Sequence, residues 1–220
     1  MLLVAPYKAE AAMIAAMHTR PIPHTVPDKD AIAALPEFPR LGLGAITLVN
    51  TEIQAHAAAA ALLQAPLWGF DTESKPTFHV GEVSDGPHVL QLSTTAHAWV
   101  FQLIEPACVR IAAQLLAAPG MVKAGFGLGD DHKRIVRKLG VVPVGVLDLN
   151  TVFRAQGYRK DMGVKGAVAV LFGQRFIKSK KAATSNWANA HLTDAQLVYA
   201  ANDAYAAARV AQALGVAVKG

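Results

Sequence analysis

With 220 residues the chain suits one sizeable domain, or a domain with a short arm, and its net charge of +5 admits polyanionic partners without requiring them. Apolar residues make up 53%, but 42 of them are alanine, so large core side chains are fewer than that figure suggests; three Trp, eight Phe and four Tyr still exclude a disordered chain. A single cysteine, Cys108, excludes an intramolecular disulfide framework and a thiolate-rich metal cluster.

The N-terminus, MLLVAPYKAE, starts apolar, but Pro6, Lys8 and Glu10 interrupt it before it reaches the length of a secretory core. The uncharged stretches 53–70 and 86–104 are broken by Pro, His and Gln, so neither supplies the roughly 20 predominantly apolar residues of a membrane span. A soluble, cytoplasmic protein with no membrane partner is the expectation. Six of the twelve prolines fall in the first 40 residues. Residues 1–43 therefore read as a Pro-rich arm, with one short helix over 10–17, that either packs on the main domain or is partly disordered.

From residue 44 to 220 the pattern is that of one domain. AITLV at 45–49 reads as a strand and 51–64 as a helix capped by Thr51. Strands follow at 67–72, 89–93 and 98–103, the last two joined by the polar turn at Thr94 and Thr95. A helix over 106–117, a strand over 121–124, a helix over 130–139 and a strand over 144–147 complete the alternation. Beyond 149 the chain reads as mostly helical, interrupted by Gly157, Gly163, Gly173 and a basic loop at 175–185. A few strands followed by strand–helix alternation indicate an α/β mixed sheet flanked by helices.

Carboxylates are scarce, so their placement is informative. In FDTE at 70–73, Asp71 and Glu73 are two apart on an extended backbone and share one face. Two anions that close either hold a cation or sit at a solvated strand end. In KAGFGLGDDHK at 123–133 the glycine spacing does not make a dinucleotide fingerprint, because residue 130 is Asp where the third glycine belongs. Asp130 can cap the following helix, which accounts for one Asp and leaves Asp131. In YAANDAY at 199–205, Tyr199 and Asp203 are i and i+4 on a helix running from about 193 to 214, with Thr193 and Gln196 as a capping box. The bland alternative there is an exposed Asp on an amphipathic, alanine-rich helix. Together the clusters offer four carboxylates and one phenol, hard oxygen donors suited to Mg²⁺ or Mn²⁺ rather than zinc.

The order and spacing of FDTES at 70–74, KAGFGLGDDHK at 123–133 and YAANDAY at 199–205 resemble the DEDD 3′–5′ exonucleases, in the tyrosine-containing (DEDDy) subgroup with ribonuclease D and the Werner-syndrome exonuclease domain. VLQLS at 89–93 and SNW at 185–187 are similar to supporting stretches of that family, and the likeness runs over roughly 45–212. Tyr199 selects the subgroup, because the histidine-containing subgroup has its His where Val198 stands. Matching Lys123 to the second motif makes Asp131, rather than Asp130, the family's acid. Ser74 stands where relatives often carry Trp or Phe; Phe78 and Phe126 are the aromatic residues that could replace it as a stacking platform. Few residues follow the third motif, so neither the C-terminal helical domains of ribonuclease D nor a helicase portion is expected here.

The resemblance implies an RNase H-like fold and metal-dependent hydrolysis of DNA or RNA from the 3′ end, releasing 5′-mononucleotides. Asp71, Glu73, Asp131 and Asp203 would hold two Mg²⁺ or Mn²⁺ ions, and Tyr199 would orient the attacking water. Affinity needs cations away from that centre, and Arg175, Lys178, Lys180 and Lys181 in QRFIKSKKA form either a backbone-tracking loop or a solvated one. His132 is a further candidate for the scissile phosphate, while Cys108, Met13 and Met17 read as packing residues. A nucleic-acid-binding module without catalysis is the competing reading; it usually shows as a missing carboxylate, and here every position is filled.

Overall fold

The computed structural model describes residues 25–77 and 85–216, apart from the side chains of Asp130 and Asp131. The expected helix over 10–17, with Met13 and Met17, and Phe78 lie outside the described residues. Among the described residues, the chain runs through α1 (Lys29–Ala33), a 3-10 turn (Leu43–Ala45), β1 (Ile46–Val49), α2 (Glu52–Leu62), β2 (Leu67–Glu73), β3 (Val89–Ser93) and β4 (Ala98–Gln102). It continues through α3 (Pro106–Ala117), β5 (Val122–Gly125), α4 (Gly129–Leu139), β6 (Val146–Asp148), α5 (Leu149–Ala155), α6 (Gly163–Phe172), α7 (Lys180–Ala183) and α8 (Asp194–Ala213).

The strands form one mixed sheet in the order β1-β4-β3-β2-β5-β6. β2, β3 and β4 form an antiparallel meander, while β5 and β6 add in parallel beside β2 and β1 adds in parallel beside β4. The strands after β1 thus form an RNase H-like sheet, as the resemblance implies, with β1 as an added edge.

Alternation along the strands sorts their side chains onto two faces. On one face Trp68, Phe70, Leu90, Leu92 and Phe101 pack under α2, α3 and α4 in a cluster that includes Leu116 and Ile135. Cys108 of α3 is fully buried there, as expected. On the other face lies α8, buried almost all round from Ala200 to Ala208. An added Cβ on Gly69 would lie 1.7 Å from the Ala204 carbonyl oxygen, so only glycine lets the α8 backbone approach β2 this closely. That contact seats Asp203 against Asp71.

Several local readings shift on inspection of the backbone. Ala45 belongs to the 3-10 turn, and β6 begins at Val146 because Gly145 adopts a left-handed φ of 68° just before it. α4 starts at Gly129 with Leu128 at the cap position, so Asp130 lies inside the first turn and is not the cap. The basic stretch 175–185 contains α7, capped by Ser179. The capping boxes at Thr51 with Gln54 and at Thr193 with Gln196 both form.

Residues 36–41 lie against the domain as a strap. Phe38 is 2% exposed, in the cluster that includes Phe176 and Tyr205. Glu37 bridges to Arg175 through backbone bonds on either side, Phe38 N–H to Arg175 O at 2.9 Å and Arg175 N–H to Pro36 O at 2.8 Å.

Candidate active site

Strand periodicity gives Asp71 and Glu73 the same face, and the helical turn sets Tyr199 four residues before Asp203. The Gly69 contact brings these two elements together. Asp71, Glu73 and Asp203 each present a carboxylate oxygen within 4.8 Å of the others. Asp203 is only 5% exposed, which excludes the reading of an exposed Asp on an amphipathic helix. Its Oδ2 accepts the Lys178 ammonium at 2.7 Å, while its Oδ1 is buried without a hydrogen-bond donor among the described residues.

Burial pushes the Asp203 carboxyl above its ordinary range, against the pull of Lys178 and the Tyr199 hydroxyl, which favour the ionised form. For Lys178, burial acts to release the proton, but Asp203 outweighs it and the ammonium is held more tightly than in water. Burial and the Asp203 charge raise the Tyr199 phenol, so Tyr199 keeps its proton at neutral pH. The Lys178 ammonium also lies 5.3 Å from the Tyr199 ring centroid, a cation–π contact that helps to fix the ring.

SNW at 185–187 supports this phenol from behind. Trp187 is fully buried, with its ring centroid 5.9 Å from that of Tyr199. The Gln196 side chain donates to Ser185 Oγ at 3.0 Å and to the Asn186 carbonyl at 3.3 Å, tying the first turn of α8 to the same segment.

The second motif is placed by its backbone. Asp131 lies in the first turn of α4, directly after β5, and its side chain lies outside the described part of the structure. The turn that launches α4 is anchored by Asp148, whose carboxylate accepts the Leu128 N–H at 3.3 Å and the Asn150 N–H at 2.9 Å. Sequence reasoning missed Asp148; an Asp at the end of a strand and the start of a helix was the available signal. His132 is exposed on α4.

The four basic-loop residues do not share one environment. Arg175 pairs with Glu37 at 2.8 Å and donates to the Ala33 carbonyl, so it fastens the strap. Lys178 points inward to Asp203, while Lys180 and Lys181 are exposed on α7. A charge run read in sequence gives no direction to its side chains.

Beside the carboxylates opens a cavity of about 430 Å³, bordered by Asp71, Asp203, Lys178, Phe126, Asn150 and Met162. That volume lies in the range of small-ligand sites. The acidic donors also suit a divalent cation: three carboxylates this close repel one another, and among the described residues Asp203 Oδ1 is buried without a hydrogen-bond donor.

The model of the 3′–5′ exonuclease family matches residues 46–219. The chain belongs to that family. A 3′–5′ exonuclease is a hydrolase that acts on nucleic acid from the 3′ end, and the acidic cluster fits the divalent-metal chemistry general in this family. Over 152 residues the chain is 28% identical to the Mus musculus bifunctional 3′–5′ exonuclease/ATP-dependent helicase WRN, covering 67% of this chain and 11% of that protein. Over 182 residues it is 29% identical to the Homo sapiens exonuclease mut-7 homolog, covering 70% of this chain and 20% of the other. The chain therefore spans a fifth or less of the length of these two relatives. The crystal structure of Trypanosoma brucei RNase D in complex with RNA U12 superposes with a TM-score of 0.67 at 21% identity, over 86% of this exonuclease chain and 65% of that one. This likeness shows the shared fold. No helix among the described residues is long and apolar enough to cross a membrane.

Proposed function

We propose that this exonuclease removes 5′-mononucleotides one at a time from the 3′ end of a DNA or RNA strand, using Mg²⁺ or Mn²⁺. The observation that carries this reading is the meeting of Asp71, Glu73 and Asp203 within 4.8 Å at the edge of a nucleotide-sized cavity. Asp71, Glu73 and Asp203 would hold the ions, with Asp131 completing the set from the first turn of α4. When bound, two such ions supply Lewis-acid charge to both the attacking and the leaving oxygens of a phosphodiester.

The chain's own groups do the rest. Tyr199 retains its proton, so its hydroxyl donates to, and orients, the water that attacks in line. Lys178 places a fixed positive charge beside Asp203, where the phosphate arrives, and lowers the repulsion between strand and carboxylates. Phe126 gives the cavity an apolar wall against which a base can lie. That RNase D has been crystallised with RNA U12 supports a nucleic-acid strand as the ligand on this fold.

Incubating matched 3′-labelled and 5′-labelled oligonucleotides with Mg²⁺, Mn²⁺ or EDTA tests the reading. A ladder from the 5′-labelled strand, immediate mononucleotide from the 3′-labelled strand, and silence in EDTA are expected. Binding without shortening would replace the reading with that of a nucleic-acid-binding module. DNA and RNA of one sequence, run side by side, decide the sugar preference through the 2′-OH.

A further inference from the structure

The catalytic reading uses one cavity, but two more adjoin it in turn. A smaller one of about 180 Å³ is bordered by Tyr199, Asn202, Asp203, Ile177, Ser179 and Arg40, and a third of about 450 Å³ by the strap itself and Val198. Asp203 borders both the first and the second; Arg40 and Val198 border both the second and the third. The second cavity follows α8 from Asp203 back to Ala195, a rise of roughly 12 Å at 1.5 Å per residue, and the third adjoins it at Val198. One nucleotide advances a stacked strand by about 3.4 Å, so this length exceeds a single nucleotide step.

Arg40 is the cation that borders the second and third cavities. It is exposed, and among the described residues it makes no ion pair or side-chain hydrogen bond. The carboxylate nearest in sequence, Glu37, is already neutralised by Arg175 at 2.8 Å. The backbone that carries Arg40 is held on both sides. Phe38 is anchored in the core before it. After it, the buried Asn202 amide accepts the Leu41 N–H at 2.8 Å and donates to the Leu41 carbonyl at 3.1 Å. A buried amide needs both of its ends satisfied, and the strap satisfies them. Asn202 adjoins Asp203, so one turn of α8 fixes both the carboxylate and the arginine. Arg40 also precedes residues 46–219, the part of the chain that the family model covers.

We infer that the three cavities form one track for a polynucleotide strand and that Arg40 is its phosphate-binding residue, holding a phosphodiester on the side of Asp203 away from the 430 Å³ cavity. The inference rests on the exonuclease reading for its orientation, with the terminal nucleotide in the larger cavity, which alone of the two beside Asp203 has the volume for it. A planar guanidinium matches a phosphate with two parallel hydrogen bonds, and its fixed charge displaces one counterion from the strand.

The test measures binding separately from cleavage. Fluorescence anisotropy with a labelled 12-mer in Ca²⁺, over a range of salt concentrations, compares the native chain with Arg40→Gln and Arg40→Lys. Arg40→Gln is expected to weaken 12-mer binding by about fivefold and to reduce the salt slope by about one. Arg40→Lys should keep the slope and recover only part of the affinity. The defect should grow from a competing 5′-mononucleotide to the 12-mer. Equal 12-mer affinity and slope in native and Arg40→Gln protein would overturn the inference. So would an equal loss for mononucleotide and 12-mer, or no 12-mer binding by the native chain. If Arg40→Gln binds the 12-mer more weakly but the native chain shortens no strand in Mg²⁺ or Mn²⁺, the track stands and the exonuclease reading falls.

Discussion

The two faces of the sheet are built on opposite principles. Under α2, α3 and α4 the strands present Trp68, Phe70, Leu90, Leu92 and Phe101, and bulk fills the space. Under α8 they present Gly69, Asp71, Gln91 and Ser93, and the helix answers with alanine at positions 200, 201, 204, 206, 207, 208 and 211. The first face stabilises by apolar area. The second gives up area for proximity, because only small residues let a helix backbone approach a strand closely enough for Asp203 to meet Asp71 and Glu73. The alanine excess of the composition is thus concentrated in part where the chemistry is assembled.

This contrast can be broken from either side. Leu92→Ala, on the bulky face, should destabilise the fold by about 4 kcal/mol in urea unfolding, while the surviving folded protein binds Mn²⁺ with native affinity. Gly69→Ala, on the close face, should destabilise by about 3 kcal/mol and weaken Mn²⁺ binding as well, since α8 must lift away from β2. Native Mn²⁺ affinity in Gly69→Ala would show that the close approach does not set the carboxylate geometry.

A smaller effect comes from a charge buried on the bulky side. Lys123 is fully buried, donates to the Ala118 and Val144 carbonyls at 2.6 and 2.9 Å, and lies 5.2 Å from the Trp68 ring centroid. Burial lowers its pKa from 10.5 to about 8. Between those values the unfolded chain binds the proton and the folded chain does not, so stability rises with pH across that window and the strain is greatest below pH 8. Urea unfolding at pH 7.5 and 9.5 should show the native chain gaining on the order of 1–2 kcal/mol relative to Lys123→Met. A pH-independent difference between the two proteins would contradict this. The smallest effect is on the α8 side. Gln91, paired across the strands with Asp71, is fully buried, and among the described residues neither of its amide atoms has a hydrogen-bond partner. Gln91→Met should therefore raise stability by about 1 kcal/mol.

What was legible in the sequence was local. Period-two alternation placed Asp71 with Glu73, the i,i+4 spacing placed Tyr199 with Asp203, and Thr193 with Gln196 marked the start of α8, because each signal lies within one element. The contacts that join elements left no such trace. Asn202 reaches 161 residues back to Leu41, and Lys178 leaves a run of lysines to pair with Asp203. Both depend on how the sheet and α8 come together, which is set by packing across the whole chain. By residue type alone Asp130 suits a cap, but after the turn at Gly127, with a φ of 68°, the cap is Leu128, two residues earlier.

The central claim is that Asp203, carried onto the sheet by α8, serves with Asp71 and Glu73 as a metal-holding group rather than a structural one. Its direct measurement is mononucleotide release from a 3′-labelled oligonucleotide by Asp203→Asn in Mn²⁺, with circular dichroism as the check on the fold. The account predicts release reduced to the level seen in EDTA while the spectrum stays native. Release at the native rate by a folded Asp203→Asn protein would contradict it.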